Sequence, residues 1–110
     1  MAIAEAFLGD LVRGDTWAPI TFTHTDDPAT NFSGAIVRAK MRETASGPVV
    51  LQWSSEDGSA EGGNGFFRLG QKTHLQTAAI RPGFYYIEVE VTLGGIVKTY
   101  GRLTVNVLPD

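Results

Sequence analysis

Residues 85–93 alternate without a break, and two glycines follow at once. Tyr85, Ile87, Val89, Val91 and Leu93 fall on one side of the run. Tyr86, Glu88, Glu90 and Thr92 fall on the other. A period of two places each set on one face of a β-strand. Gly94-Gly95 then offers the positive φ that a tight hairpin needs, and a second alternating run begins at Ile96. Such a hairpin has one apolar face, and that face must be covered by something. The face assignment predicts that Val89→Asp is severely destabilising and that Glu88→Ala is nearly neutral.

The rest of the chain repeats the theme from Trp17 onward. Residues 20–24 alternate. In 35–42, Ala35, Val37, Ala39 and Met41 oppose Arg38, Lys40 and Arg42. Ser46-Gly47-Pro48 reads as a turn. Val49, Leu51 and Trp53 then share a face, which argues that Trp53 is buried. Residues 26–31 are turn formers. Residues 54–65 hold four glycines and nothing large, and read as the longest, mobile, solvent-facing loop. A short strand resumes at 66–69, and Thr73 to Leu75 offers another. Leu103, Val105 and Val107 alternate with Arg102, Thr104 and Asn106 until Pro109 ends the pairing.

That makes seven or eight strands with no helix to cover a sheet. Two sheets packed face to face, or a small barrel, are the stable solutions. The expected fold is all-β, a single immunoglobulin-like two-sheet sandwich over residues 1–110. Residues 2–8 are apolar and form either the first edge strand or an arm that packs on a neighbour.

Composition narrows the function. The chain has 110 residues, no cysteine and a formal net charge of −3 with both signs interspersed. Disulfides, thiolate metal sites and Cys nucleophiles are excluded. A basic footprint for nucleic acid is missing. No apolar run reaches the length of a membrane span. Glu5 interrupts the apolar N-terminus, and no basic residues precede it, so it does not read as a signal peptide. The Asn31-Phe32-Ser33 sequon therefore carries no glycosylation argument.

The short motifs favour structure over chemistry. Arg13-Gly14-Asp15 reads as a turn between strands, with Asp15 positioned to bond nearby backbone N–H groups. His24, Asp26 and the distant His74 form no ligand cluster. Calcium at Asp26-Asp27 or Glu56-Asp57 matches no EF-hand spacing. Gly62-Gly63-Asn64-Gly65 lacks the Lys-Ser/Thr of a phosphate loop. No Gly-x-Ser-x-Gly elbow anchors a hydrolase. No catalytic residue, cofactor or metal is expected. The aromatics stand out instead. With Tyr85 inside, Phe84 and Tyr86 point outward, and at most one of Phe66 and Phe67 enters the core. Outward aromatics beside charge suit a protein contact. Ile3, Phe7, Leu8, Phe66, Phe84 and Tyr86 are the candidate contact residues. The rival is a carbohydrate platform built from Trp17, Trp53 or Tyr86.

The order of several phrases resembles small all-β structural proteins of tailed bacteriophages. These phrases are Arg13-Gly14-Asp15-Thr16, the strand from Ile20 to Phe22, the strand from Gly34 to Arg42, Gly83-Phe84-Tyr85-Tyr86-Ile87-Glu88, and the run from Thr99 to Val107. The pattern is similar to the immunoglobulin-like N-terminal domain of phage baseplate upper proteins. The resemblance implies a virion component made in the host cytoplasm. It implies no catalysis, but contacts with other virion proteins and a homo-oligomer; charge and hydropathy add the expectation of no nucleic acid and no membrane. Tail, baseplate, neck and capsid decoration all fit it. The Gly-rich insert between Trp53 and Phe66 and the apolar N-terminal segment depart from the pattern.

Overall fold

The computed structural model describes residues 4–23, 30–44 and 46–110. Eight strands and one short helix follow in the order β1 Ala4–Val12, β2 Ile20–Thr23, β3 Ile36–Arg42, β4 Val49–Ser54, β5 Ala60–Gly63, β6 Phe66–Leu69, α1 His74–Ala78, β7 Gly83–Leu93 and β8 Ile96–Leu108. They form a five-stranded sheet, β1-β8-β7-β3-β4, and a three-stranded sheet, β2-β6-β5. All pairs are antiparallel except β1 with β8. The strand order is that of an immunoglobulin variable-type domain, with β2 to β8 in the B, C, C′, D, E, F and G places.

The alternation read from the sequence sets the core. Val37, Ala39 and Met41 of β3, Ile87, Val89 and Val91 of β7, and Leu103, Val105 and Val107 of β8 are all buried. They face Phe67 and Leu69 of β6 and Ala60 of β5 across the sandwich. Trp17, Phe32 and Ile80 come from connections and fill the ends of the same core. Phe67 stacks on Phe22 at 4.9 Å and meets Phe32 edge-on at 5.2 Å. Burying each such side chain contributes about 1.5–3 kcal/mol.

Tyr85 makes the corner that this fold often carries. Its ring is buried at the start of β7, and its hydroxyl donates to the Arg81 carbonyl at 2.5 Å. Burial, above all, pushes the phenol above its ordinary value. Ile87, two residues on, stands where an antibody domain has its second cysteine. Tyr85→Phe keeps the packing and orphans one carbonyl. The expected cost is about 1 kcal/mol in urea melts.

Several expectations need correction. Residues 54–65 do not form one mobile loop: a tight turn at Asp57-Gly58 leads into β5, which pairs with β6. This strand needs small residues. A side chain at Gly62 would overlap the Phe32 carbonyl oxygen, and one at Gly63 would overlap the Phe66 ring. Thr73 to Leu75 is not a strand but the start of α1. Thr73 and Gln76 close a capping box there, satisfying N–H groups at both positions. Of the two readings open for residues 2–8, the described part, residues 4–8, takes the edge-strand one: it pairs in parallel with β8, and the strand continues past a bulge before Gly9 to Val12.

Arg13-Gly14-Asp15 is the turn anticipated, with Gly14 at φ 87°. Its bonds differ from those expected. The Asp15 carbonyl accepts from Thr77 Oγ1, and Arg13 Nε donates to the Ala78 carbonyl at 2.8 Å. The phrase ties the first strand to α1.

Candidate interaction surface

The outer face of the five-stranded sheet gathers the residues opposite the core set. On β3 these are Arg38, Lys40 and Arg42; on β7 they are Phe84, Tyr86, Glu88 and Glu90. The two strands are direct neighbours, so the residues meet in pairs: Arg38 beside Glu90, Lys40 beside Glu88, Arg42 beside Tyr86. Arg102 and Thr104 of β8 extend two of these rows, and Gln52 and Val49 of β4 complete them on the other side.

A column of three cations therefore runs beside a column of two aromatics and two carboxylates. Within the chain the pairing is slack. Glu88 meets Arg102 at 3.5 Å, and Arg38 turns away to Glu56 at 2.6 Å. Among the described residues, Lys40, Arg42 and Glu90 have no ion-pair partner within 4.0 Å. A shallow open groove lies over Lys40, Arg42, Tyr86, Glu88 and Arg102.

Phe84 and Tyr86 are the aromatics of this face, 65% and 42% exposed. Both belong to the candidate contact set, and the structure brings them together two residues apart on one strand. Phe66 does not join them. Phe66 lies on the outer side of the three-stranded sheet, half-buried, with the Arg68 guanidinium 4.9 Å over its ring. Phe7 sits opposite Thr104 in the β1–β8 ladder, and Leu8 at the bulge beyond it. Ile3 lies outside the described residues.

Both tryptophans are buried, Trp17 at 4% and Trp53 at 2% exposed, which removes the pair as a carbohydrate platform. They line a small apolar pocket between the sheets together with Lys72. Sequence reasoning missed Lys72. Its backbone bridges to Trp17 in both directions, at 2.9 and 3.0 Å, so the two side chains leave the same face. Its ammonium donates to the Gln52 carbonyl and lies 4.8 Å from the Trp53 ring centre. Burial pushes the Lys72 pKa below its ordinary value, with the Asp57 carboxylate acting against the shift.

The remaining sequence candidates do not converge. His24, Asp26 and Asp27 lie outside the described residues. His74 is exposed on α1. Glu56 is engaged by Arg38, and Asp57 accepts from the Ser59 hydroxyl and backbone N–H, bonds that hold its carboxyl below the usual range. Among the described residues, no three His, Asp or Glu side chains cluster as metal ligands, and no helix is long and apolar enough to cross a membrane.

No protein family matches the sequence, and no curated protein does. Solved structures resemble the chain at low identity. One is a "putative glycoside hydrolase" from Bacteroides vulgatus, at 11% identity and a TM-score of 0.47. The match covers 99% of this chain and 17% of that one, so the chain spans about a sixth of that protein. Another is an uncharacterized protein from Bacillus anthracis, at 18% identity and a TM-score of 0.41, with 94% of this chain and 78% of that one covered.

Proposed function

We propose that this chain is a non-enzymatic structural protein of a tailed-phage particle, built into the tail, baseplate or neck through protein–protein contacts. The observation that carries this reading is the pair Phe84 and Tyr86, standing in solvent on the face of the larger sheet. A sheet face that only meets water carries short polar and charged residues. Two large aromatics framed by charges match the composition of an interface core and its rim. The sequence resemblance to small phage structural proteins supplies the setting. The protein works by surface complementarity, and its exposed sheet face rather than a cleft is the functional element.

Peptide-counting mass spectrometry on purified particles, scaled to the major capsid protein, tests this. A few to roughly a few tens of copies per particle, as rings of subunits supply, is the expected result. Hundreds of copies make it a capsid decoration protein instead. Absence from particles contradicts the structural reading and reopens carbohydrate binding and catalysis.

A further inference from the structure

We infer that the partner of the outer sheet face is a second copy of this chain, packed face to face about a two-fold axis that runs parallel to the strands between β3 and β7. The inference rests on the proposed structural role and names one contact within it.

The charge pattern selects this arrangement. Rotation about such an axis lays β3 of one copy over β7 of the other at the same height along the strands. Arg38 then faces Glu90 of the second copy, Lys40 faces its Glu88, and Arg42 faces its Tyr86, each contact made twice. The chain's own register fixes these rows, because the same residues are neighbours within one sheet. Gln52 and Val49 of β4 come over Arg102 and Thr104 of β8, which places no like charges together. Aligned sheets cross at about 30°, so columns meet columns rather than atom meeting atom.

An axis along either charged column, or one across the strands, fails on charge. An axis along β3 sets Arg38, Lys40 and Arg42 on their own copies. An axis along β7 sets Glu88 on Glu88 and Glu90 on Glu90. An axis across the strands again stacks the basic column on itself. Like charges set opposite each other exclude a wrong pairing more strongly than a matched pair rewards the right one. The matched arrangement sets Lys40 and Glu90, which have no ion-pair partner within 4.0 Å in the single chain, against opposite charges of the second copy, and sets Arg42 against a second Tyr86 ring.

Size sets the expected strength. About this axis four strands of each copy overlap, β4, β3, β7 and β8. About 4.8 Å apart and about 20 Å long, they present a face of roughly 400 Å², below the ~800 Å² per partner of a standard interface. Self-association is therefore concentration-dependent and falls with added salt.

The test is a charge swap followed by sedimentation velocity. Lys40→Glu makes the central row of the face acidic, and Glu88→Lys makes it basic. Each variant alone is expected to lose at least about tenfold in self-association relative to the unaltered chain. An equal mixture of the two is expected to restore dimers, because the carboxylate introduced at position 40 of one copy then meets the ammonium introduced at position 88 of the other. Far-ultraviolet circular dichroism confirms that each variant is folded. Tyr86→Ser, which changes no charge, is a second probe and is also expected to weaken the dimer. A mixture that stays monomeric while the unaltered chain dimerises overturns the arrangement. An unaltered chain that stays monomeric at millimolar concentration overturns the homodimer. Neither result bears on particle copy number, which tests the structural role separately.

Discussion

Val89→Asp loses several kcal/mol of stability, whereas Glu88→Ala, one residue away, melts within about 0.5 kcal/mol of the parent. Val89 is fully buried in the middle of β7, between Ala39 of β3 and Gly101 of β8. Neither neighbour offers a side-chain donor, and the facing sheet is apolar. A carboxylate there must be ionised without a partner or protonated without one. Either way it costs several kcal/mol, from a total stability of about 5–15 kcal/mol for a domain of this kind. Glu88 is half in solvent, and its pairing with Arg102 at 3.5 Å is worth little. Urea titration followed by circular dichroism measures both. Unfolding by Glu88→Ala and tolerance of Val89→Asp would put the face assignment out of register by one residue.

Trp53→Ala costs about 3–5 kcal/mol, the range for deleting a buried aromatic. Three losses combine. The indole is 2% exposed and fills the end of the core nearest β4. Its Nε1 donates to the Gly70 carbonyl at 2.9 Å, which holds the strand exit of β6 against β4. It also forms the wall on which the Lys72 ammonium rests. Without the ring, that buried cation faces a cavity instead of a π surface. Trp53→Phe keeps most of the volume and is expected to cost less than half as much. Equal, small losses for both variants in denaturant titrations would show that β4 is not anchored to the core through this residue.

The strands with strong alternation were legible because one face is dry and the other wet. β3 and β7 follow that rule throughout, and β8 follows it from Arg102 to Val107 but not at its start, where Ile96 and Val97 are both exposed. The Gly94-Gly95 hairpin lies where two positive-φ residues had to be. β5 breaks the rule for a physical reason. Its neighbours are the Phe32 backbone and the Phe66 ring, so Gly62 and Gly63 are required where a strand usually carries bulk. The helix is too short for a helical period to show. Its only signal is the Thr73-x-x-Gln76 capping box, visible in the sequence and outweighed by strand-like neighbours. Phe32 and Ile80 are fully buried yet sit in connections, where no periodicity marks them. Lys72 was illegible for the opposite reason: lysine is ordinarily a surface residue, and only the bridge to Trp17 draws it in.

The candidate surface was partly legible. Phe84 and Tyr86 followed from the strongest strand, since placing Tyr85 inside forces both out. Phe66 lies apart from them because its outward side belongs to the other sheet, where Arg68 lies over its ring. The basic run on β3 and the acidic run on β7 were each plain in the sequence. Their adjacency was not, because about forty residues separate them and only the sheet order makes them neighbours.

Hydroxyl-radical footprinting of the free protein against the same protein in purified particles tests the central claim most directly. The expected result is that Phe84 and Tyr86 are oxidised readily when free and become protected in the particle, while Leu75, 74% exposed on α1, serves as the reference for general accessibility. Equal labelling of Phe84 and Tyr86 in both states would contradict the account, since the face it identifies would then be touching nothing.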